Sequence, residues 1–122
     1  MAKRILMVGW HPDAANYEKW PDLTAEKLTQ GLEAQRNALA ERGFEARWFL
    51  IRDADTGATL LADKLQQEDF DVVLIGAGVR RDEDHILLFE KLVNVIHEHA
   101  PRSHIAFNTN PFDTTAAVDR WL

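Results

Sequence analysis

Phe70-Asp71-Val72-Val73-Leu74-Ile75-Gly76-Ala77-Gly78-Val79-Arg80-Arg81 decides how the rest of the chain is read. The run up to Ile75 is short and apolar apart from Asp71, so a strand formed there has no polar side to give to solvent. Strands buried on both faces belong in the middle of parallel sheets. The run ends in a glycine-spaced turn followed by two arginines. Backbone amides in such a turn can approach a ligand closely, and the arginines can hold an anion. The same residues also serve as a simple tight turn between strand and helix, and both readings are open at this point.

Working outward, strand-like and helix-like segments alternate along the whole chain. Arg4 to Gly9 reads as a first buried strand, Thr24 to Arg42 as a helix, and Phe44 to Ile51 as a second strand. Gly43 closes the first helix, because glycine accepts the left-handed conformation found there. Glu45 and Arg47 make the second strand more polar than the others and mark it as an edge. A helix over 58–68, the central strand 70–75, a long helix over 83–100, a short strand over 104–107 and a last helix over 114–122 follow. Asp113 is in place to cap that last helix.

Four such βα units predict a parallel sheet with helices on both faces and right-handed crossovers. The expected architecture is a single α/β domain over residues 1–122. It is a three-layer αβα sandwich around a four-stranded sheet of order 2-1-3-4, flavodoxin-like or Rossmann-like, with strands one and three as central neighbours.

Composition narrows the function classes. The 122 residues carry a formal net charge of −6, which argues against a dominant nucleic-acid or anionic-membrane surface. With no cysteine, thiolate chemistry and zinc-thiolate sites are excluded. No apolar stretch approaches the roughly 20 residues of a membrane span. The apolar run Ile5 to Val8 is too short for an export signal, so a cytoplasmic location is expected.

In sheets of this order ligands bind beyond the carboxyl ends of the strands, where the winding reverses. Three loops meet there: 9–13, 76–81 and 108–111. The candidate ligand-binding residues are therefore Trp10, His11, Gly76, Gly78, Arg80, Asn108 and Asn110. His11 is the one acid/base candidate among them, since imidazole titrates near neutrality, and Asp13 stands close enough to orient it. The alternative is that His11 only packs at the strand end. Asn108 and Asn110 can bind a ligand or satisfy loop backbone through Asx turns. Asp82, Glu83 and Asp84 repel a polyphosphate and are placed to pair with Arg80 or Arg81, so a monoanion is the easier ligand.

Strand one is not followed by G-x-G-x-x-G, and no G-x-x-x-x-G-K-[ST] occurs, so no nucleotide cofactor is expected. His97 and His99 lie two apart and face different ways on a helix, and no metal site is expected. The loop over 10–23 carries Trp10, Tyr17 and Trp20 and reads as an aromatic lid, a core cover or an interface. In the helix 83–100, Ile86, Leu88, Phe89, Leu92, Val93, Val95, Ile96 and Ala100 spread over about half the circumference, more than one sheet contact needs. That surplus marks either a helix wedged between neighbours or a homodimer interface.

Three segments, Lys3-Arg-Ile-Leu-Met-Val-Gly-x-His-Pro-Asp13, Val73-Leu-Ile-Gly-Ala-Gly-Val-Arg80 and Phe107-Asn-Thr-Asn-Pro111, resemble a group of small bacterial proteins of unassigned function. The resemblance runs over nearly the whole chain. It implies a bacterial stand-alone α/β domain and supplies no activity or catalytic residue. Two functions fit these residues: binding of a small anionic metabolite at the carboxyl edge of the sheet, with His11 as acid or base if a reaction follows, or a non-catalytic homodimeric interaction module.

Overall fold

In the computed structural model, which describes residues 2–122, four strands are β1 (Arg4–Trp10), β2 (Glu45–Ile51), β3 (Val72–Ile75) and β4 (His104–Phe107). The helices are α1 (Ala25–Glu41), α2 (Gly57–Gln67), α3 (Ala77–Arg80), α4 (Ile86–His99) and α5 (Thr114–Asp119), with a 3-10 turn at Glu83–His85. All strand pairs are parallel and the order is β2-β1-β3-β4, as the edge character of β2 and the burial of β3 required. The central register sets Ile5 beside Val72 and Val8 beside Ile75.

Alternation along the central strands sends side chains into two separate cores. Ile5, Met7, Val72 and Leu74 pack with Leu39 of α1 and Ala117 and Val118 of α5. Leu6, Val8, Val73 and Ile75 pack with Leu61 and Leu65 of α2, Val79 of α3, and Leu88, Leu92 and Ile96 of α4. Each large aliphatic side chain so buried contributes about 1.5–3 kcal/mol of transfer free energy.

Two local expectations change. The Gly-x-Gly segment is not an open loop: Ala77–Arg80 is one turn of helix. The helix expected over 83–100 begins with the 3-10 turn, because the Asp82 side chain accepts the Asp84 N–H and starts a tighter turn there. Most of the apolar breadth of α4 packs within the chain. Leu88, Leu92 and Ile96 point inward, while Phe89, Val93 and Val95 also pack against that core. The Phe89 ring meets Phe107 of β4 edge-on at 5.7 Å. Ile86 and Leu87 stay exposed, at 55% and 67%.

Gly43 follows the C-cap of α1 with φ +88°, where a side chain is strained. Gly43→Ala is expected to lower the unfolding free energy by about 1–2 kcal/mol in urea titration, with Gly43→Asn less harmful.

Glu68, just after α2, gathers Arg4 at 2.7 Å, Arg47 at 3.4 Å and Lys64, and so ties the end of α2 to the starts of β1 and β2. Hydrogen bonds from Lys64 and then Arg4 pull its carboxyl down from 4.5 to about 2. A folded-state value below the unfolded one adds stability above the unfolded value, and this is lost as pH falls through the folded value. Glu68→Gln should therefore melt lower than the parent at pH 6, with the two melting temperatures converging as pH is lowered from about 5 to 2.

Candidate functional site

The carboxyl ends of β1, β3 and β4 feed the segments 11–24, 76–85 and 108–113, and these carry the polar residues of the molecule's candidate site. Gly76 begins it. Its N–H donates to Val8 O at 2.9 Å, and a Cβ on Gly76 would stand 3.3 Å from that same carbonyl oxygen. The missing side chain thus lets the β3 end lie tight on β1. The next amide, Ala77 N–H, donates to Asn108 Oδ1 at 2.8 Å. Two amides of the expected cradle are already engaged within the protein. Gly78 is exposed, and a Cβ there would meet open space.

Asn108 is 3% exposed and sits at the start of a buried polar relay. Its Nδ2 donates to Thr114 Oγ1 at 3.0 Å, and Thr114 Oγ1 donates to Gln35 Oε1 at 2.6 Å. The relay links α3, the β4–α5 loop and α1, so Asn108 acts here as a brace. Asn110 makes the Asx turn: Oδ1 accepts from Phe112 N at 2.7 Å. Asp113 does not cap α5 with its side chain. Its carboxylate turns back to the Thr109 and Asn110 amides and the Thr109 hydroxyl, and the Thr109 bond chiefly draws its carboxyl below the usual range.

Arg80 joins this group. Its Nη2 donates to Asn108 O at 2.8 Å, and its guanidinium lies 5.9 Å from the centre of the Phe107 ring. Arg81 reaches Thr109 O at 3.4 Å and Arg120 reaches Phe107 O at 2.9 Å. Three successive carbonyls thus accept from three guanidiniums. The acidic residues expected to neutralise Arg80 or Arg81 do otherwise: Asp82 pairs with Lys19 and His85.

His11 turns elsewhere. Its backbone N–H donates to Ile51 O, its Nδ1 lies 3.0 Å from Asp13 N, and its Nε2 lies 2.8 Å from Arg52 Nη2. A neutral imidazole has one lone-pair nitrogen, so only one of these can be a hydrogen bond at a time. Trp10 instead packs into the α2–α4 core and meets the His85 ring edge-on at 5.0 Å. The structure therefore brings Gly76, Arg80 and Asn108 together. It sends Trp10 to His85, and His11 to β2.

The loop over 10–23 crosses to the β3–α4 connection. Ala14 and Ala15 rest on the core, the Tyr17 hydroxyl donates to Pro12 O, and Lys19 Nζ reaches Asp82 Oδ1 at 3.2 Å. Lys19, Asp82 and His85 form a group that the sequence reading did not assemble. Its one local signal is the Asp82-x-x-His85 spacing, which a helix-start box shares.

No protein-family model matches the chain, and no curated protein matches it. Among solved structures it is similar to a fragment from Peptoclostridium difficile 630 described as a "putative lipoprotein". The identity is 13%, the match covers 95% of this chain and 91% of that one, and the TM-score is 0.54. At that identity the likeness shows the α/β fold alone. Among the described residues no helix is long and apolar enough to cross a membrane.

Asn108→Ala removes the acceptor of a backbone amide and the partner of a buried hydroxyl. Chemical denaturation should show a loss of about 1–3 kcal/mol for each group left unpaired.

Proposed function

We propose that the protein binds a small anionic ligand, a monocarboxylate in preference to a phosphate, at the carboxyl edge of the sheet, with Arg80 as its charge partner. One observation carries this reading. Arg80 Nε is buried and has no hydrogen-bond partner. Buried donors are nearly always paired, and one left unpaired costs roughly 1–3 kcal/mol.

The charge around Arg80 agrees. Among the described residues the partly buried cations Arg4 and Lys64 are held by carboxylates, whereas Arg80 is in no ion pair. Its bond to Asn108 O occupies one Nη group. A carboxylate that draws the guanidinium outward pairs the Nε–H and an Nη–H together, the two-pronged geometry that suits arginine. Glu83 and Asp84 stand exposed nearby in sequence and oppose a second negative charge. With the Gly76 and Ala77 amides engaged, the charge of Arg80 carries the recognition.

Thermal-shift titration with acetate, malonate and inorganic phosphate, on the parent and on Arg80→Lys, tests this. Lysine keeps the charge and loses the fork. Ligand at about 100 times its dissociation constant adds roughly 2.7 kcal/mol, so the parent should melt several degrees higher, at lower concentration for acetate than for phosphate, and Arg80→Lys should lose the shift. Equal shifts in both proteins, or none in the parent, would overturn the reading.

A further inference from the structure

Asp82 is 2% exposed, yet it is ionisable and makes no ion pair with Arg80. Its two oxygens have separate tasks. Oδ1 accepts from Asp84 N at 3.1 Å and from Lys19 Nζ at 3.2 Å, which starts the 3-10 turn and fastens the β1–α1 loop. Oδ2 faces His85 Nδ1 at 2.9 Å. The start of a helix needs only the first oxygen. The second, together with the Trp10 ring against the imidazole, fixes how His85 is held.

Burial pushes the Asp82 carboxyl up, but hydrogen bonds from His85 and Lys19 and their charges outweigh it and leave the group below the usual carboxylate range. Asp82 is thus a carboxylate at neutral pH, and a carboxylate only accepts. Nδ1 of His85 must then carry the proton, and the neutral ring keeps its lone pair on Nε2. That nitrogen makes no hydrogen bond among the described residues, and the side chain is 37% exposed. An imidazole oriented through Nδ1 by a buried carboxylate, with Nε2 free, is the arrangement of a general base.

We propose that His85 is an acid/base residue of this protein, its Nε2 accepting a proton from a bound ligand or water at the carboxyl edge of the sheet, with Asp82 as the positioning residue. That the ligand is a small anion rests on the Arg80 reading; the reactivity of Nε2 does not. Once Nε2 is protonated, the imidazolium keeps its Nδ1–H on Asp82. Lys19 and Asp84, 3.9 Å apart, are the other charges of the cluster.

Hydrolysis of p-nitrophenyl acetate tests the proposal, because the ester is uncharged and has no need of Arg80. Nε2 takes a proton from water as the water oxygen bonds to the carbonyl carbon. The bond from that carbon to the phenolic oxygen then breaks, p-nitrophenolate leaves with the electron pair, acetic acid is released, and Nε2 returns its proton to solvent. His85→Asn, whose amide can still donate to Asp82, should lower the protein-dependent rate by about tenfold or more. His97→Asn, on the exposed side of α4, should leave the rate unchanged. A second readout needs no variant: imidazole 15N shifts of the parent should show neutral His85 protonated at Nδ1, and Asp82→Asn should lower both that population and the rate. A His85→Asn protein that hydrolyses the ester as fast as the parent, or a neutral His85 protonated at Nε2, would overturn the proposal. Carboxylate binding that persists in Arg80→Lys would overturn the Arg80 reading alone.

Discussion

Burial of β1 and β3 on both faces is the constraint from which the rest follows. From Ile5 to Val8 and from Val72 to Ile75 each side chain enters one apolar core or the other. Neither strand can display a polar group along its length without burying it unpaired, which costs several kcal/mol. Polar chemistry is pushed to the strand ends. At the amino end it becomes the Arg4–Glu68 ion-pair group. At the carboxyl end it becomes the loops that hold Arg80, Asn108, Asp82 and His85.

Those loops are built as two groups, one fastened at the start of α3 and the other just past its end. One runs from Ala77 through Asn108 and Thr114 to Gln35, and so joins a turn after β3 to the middle of α1. The other runs from Lys19 through Asp82 to His85 and Trp10. In both, one fully buried polar side chain satisfies partners from several elements, which makes each group rigid because any shift leaves a buried donor or acceptor unpaired. A chain of this size has few ways to hold irregular loops still, and these two side chains, Asn108 and Asp82, do so.

The order of the strands was legible because burial writes itself into composition: β3 has no polar side and β2 carries Glu45 and Arg47. The Gly43 stop was legible for an equally local reason, and the meeting of Gly76, Arg80 and Asn108 at one edge followed from the strand order. The helical turn at Ala77–Arg80 was not, because two glycines two apart suggest an open loop. There the turn is secured from 31 residues away by the Asn108 side chain. Asp82 and His85 were hidden for the same kind of reason. Their spacing is that of an ordinary helix start, and only the arrival of Lys19 and Trp10 from the β1 end shows how the carboxylate is buried. The pairing of Asp82 with Arg80 or Arg81, natural from proximity in sequence, yields to Lys19 63 residues away.

The two borders of the sheet are closed by different means. On β2 the charged side chains Glu45 and Arg47 pair with each other at 3.1 Å beside Glu68, and on β4 the Arg120 guanidinium sits on the Phe107 carbonyl. A stray strand seeking to extend the sheet would have to strip ion pairs at one side and displace a charge-assisted hydrogen bond at the other. Charge at both borders thus disfavours the pairing with a second strand that an open sheet edge invites.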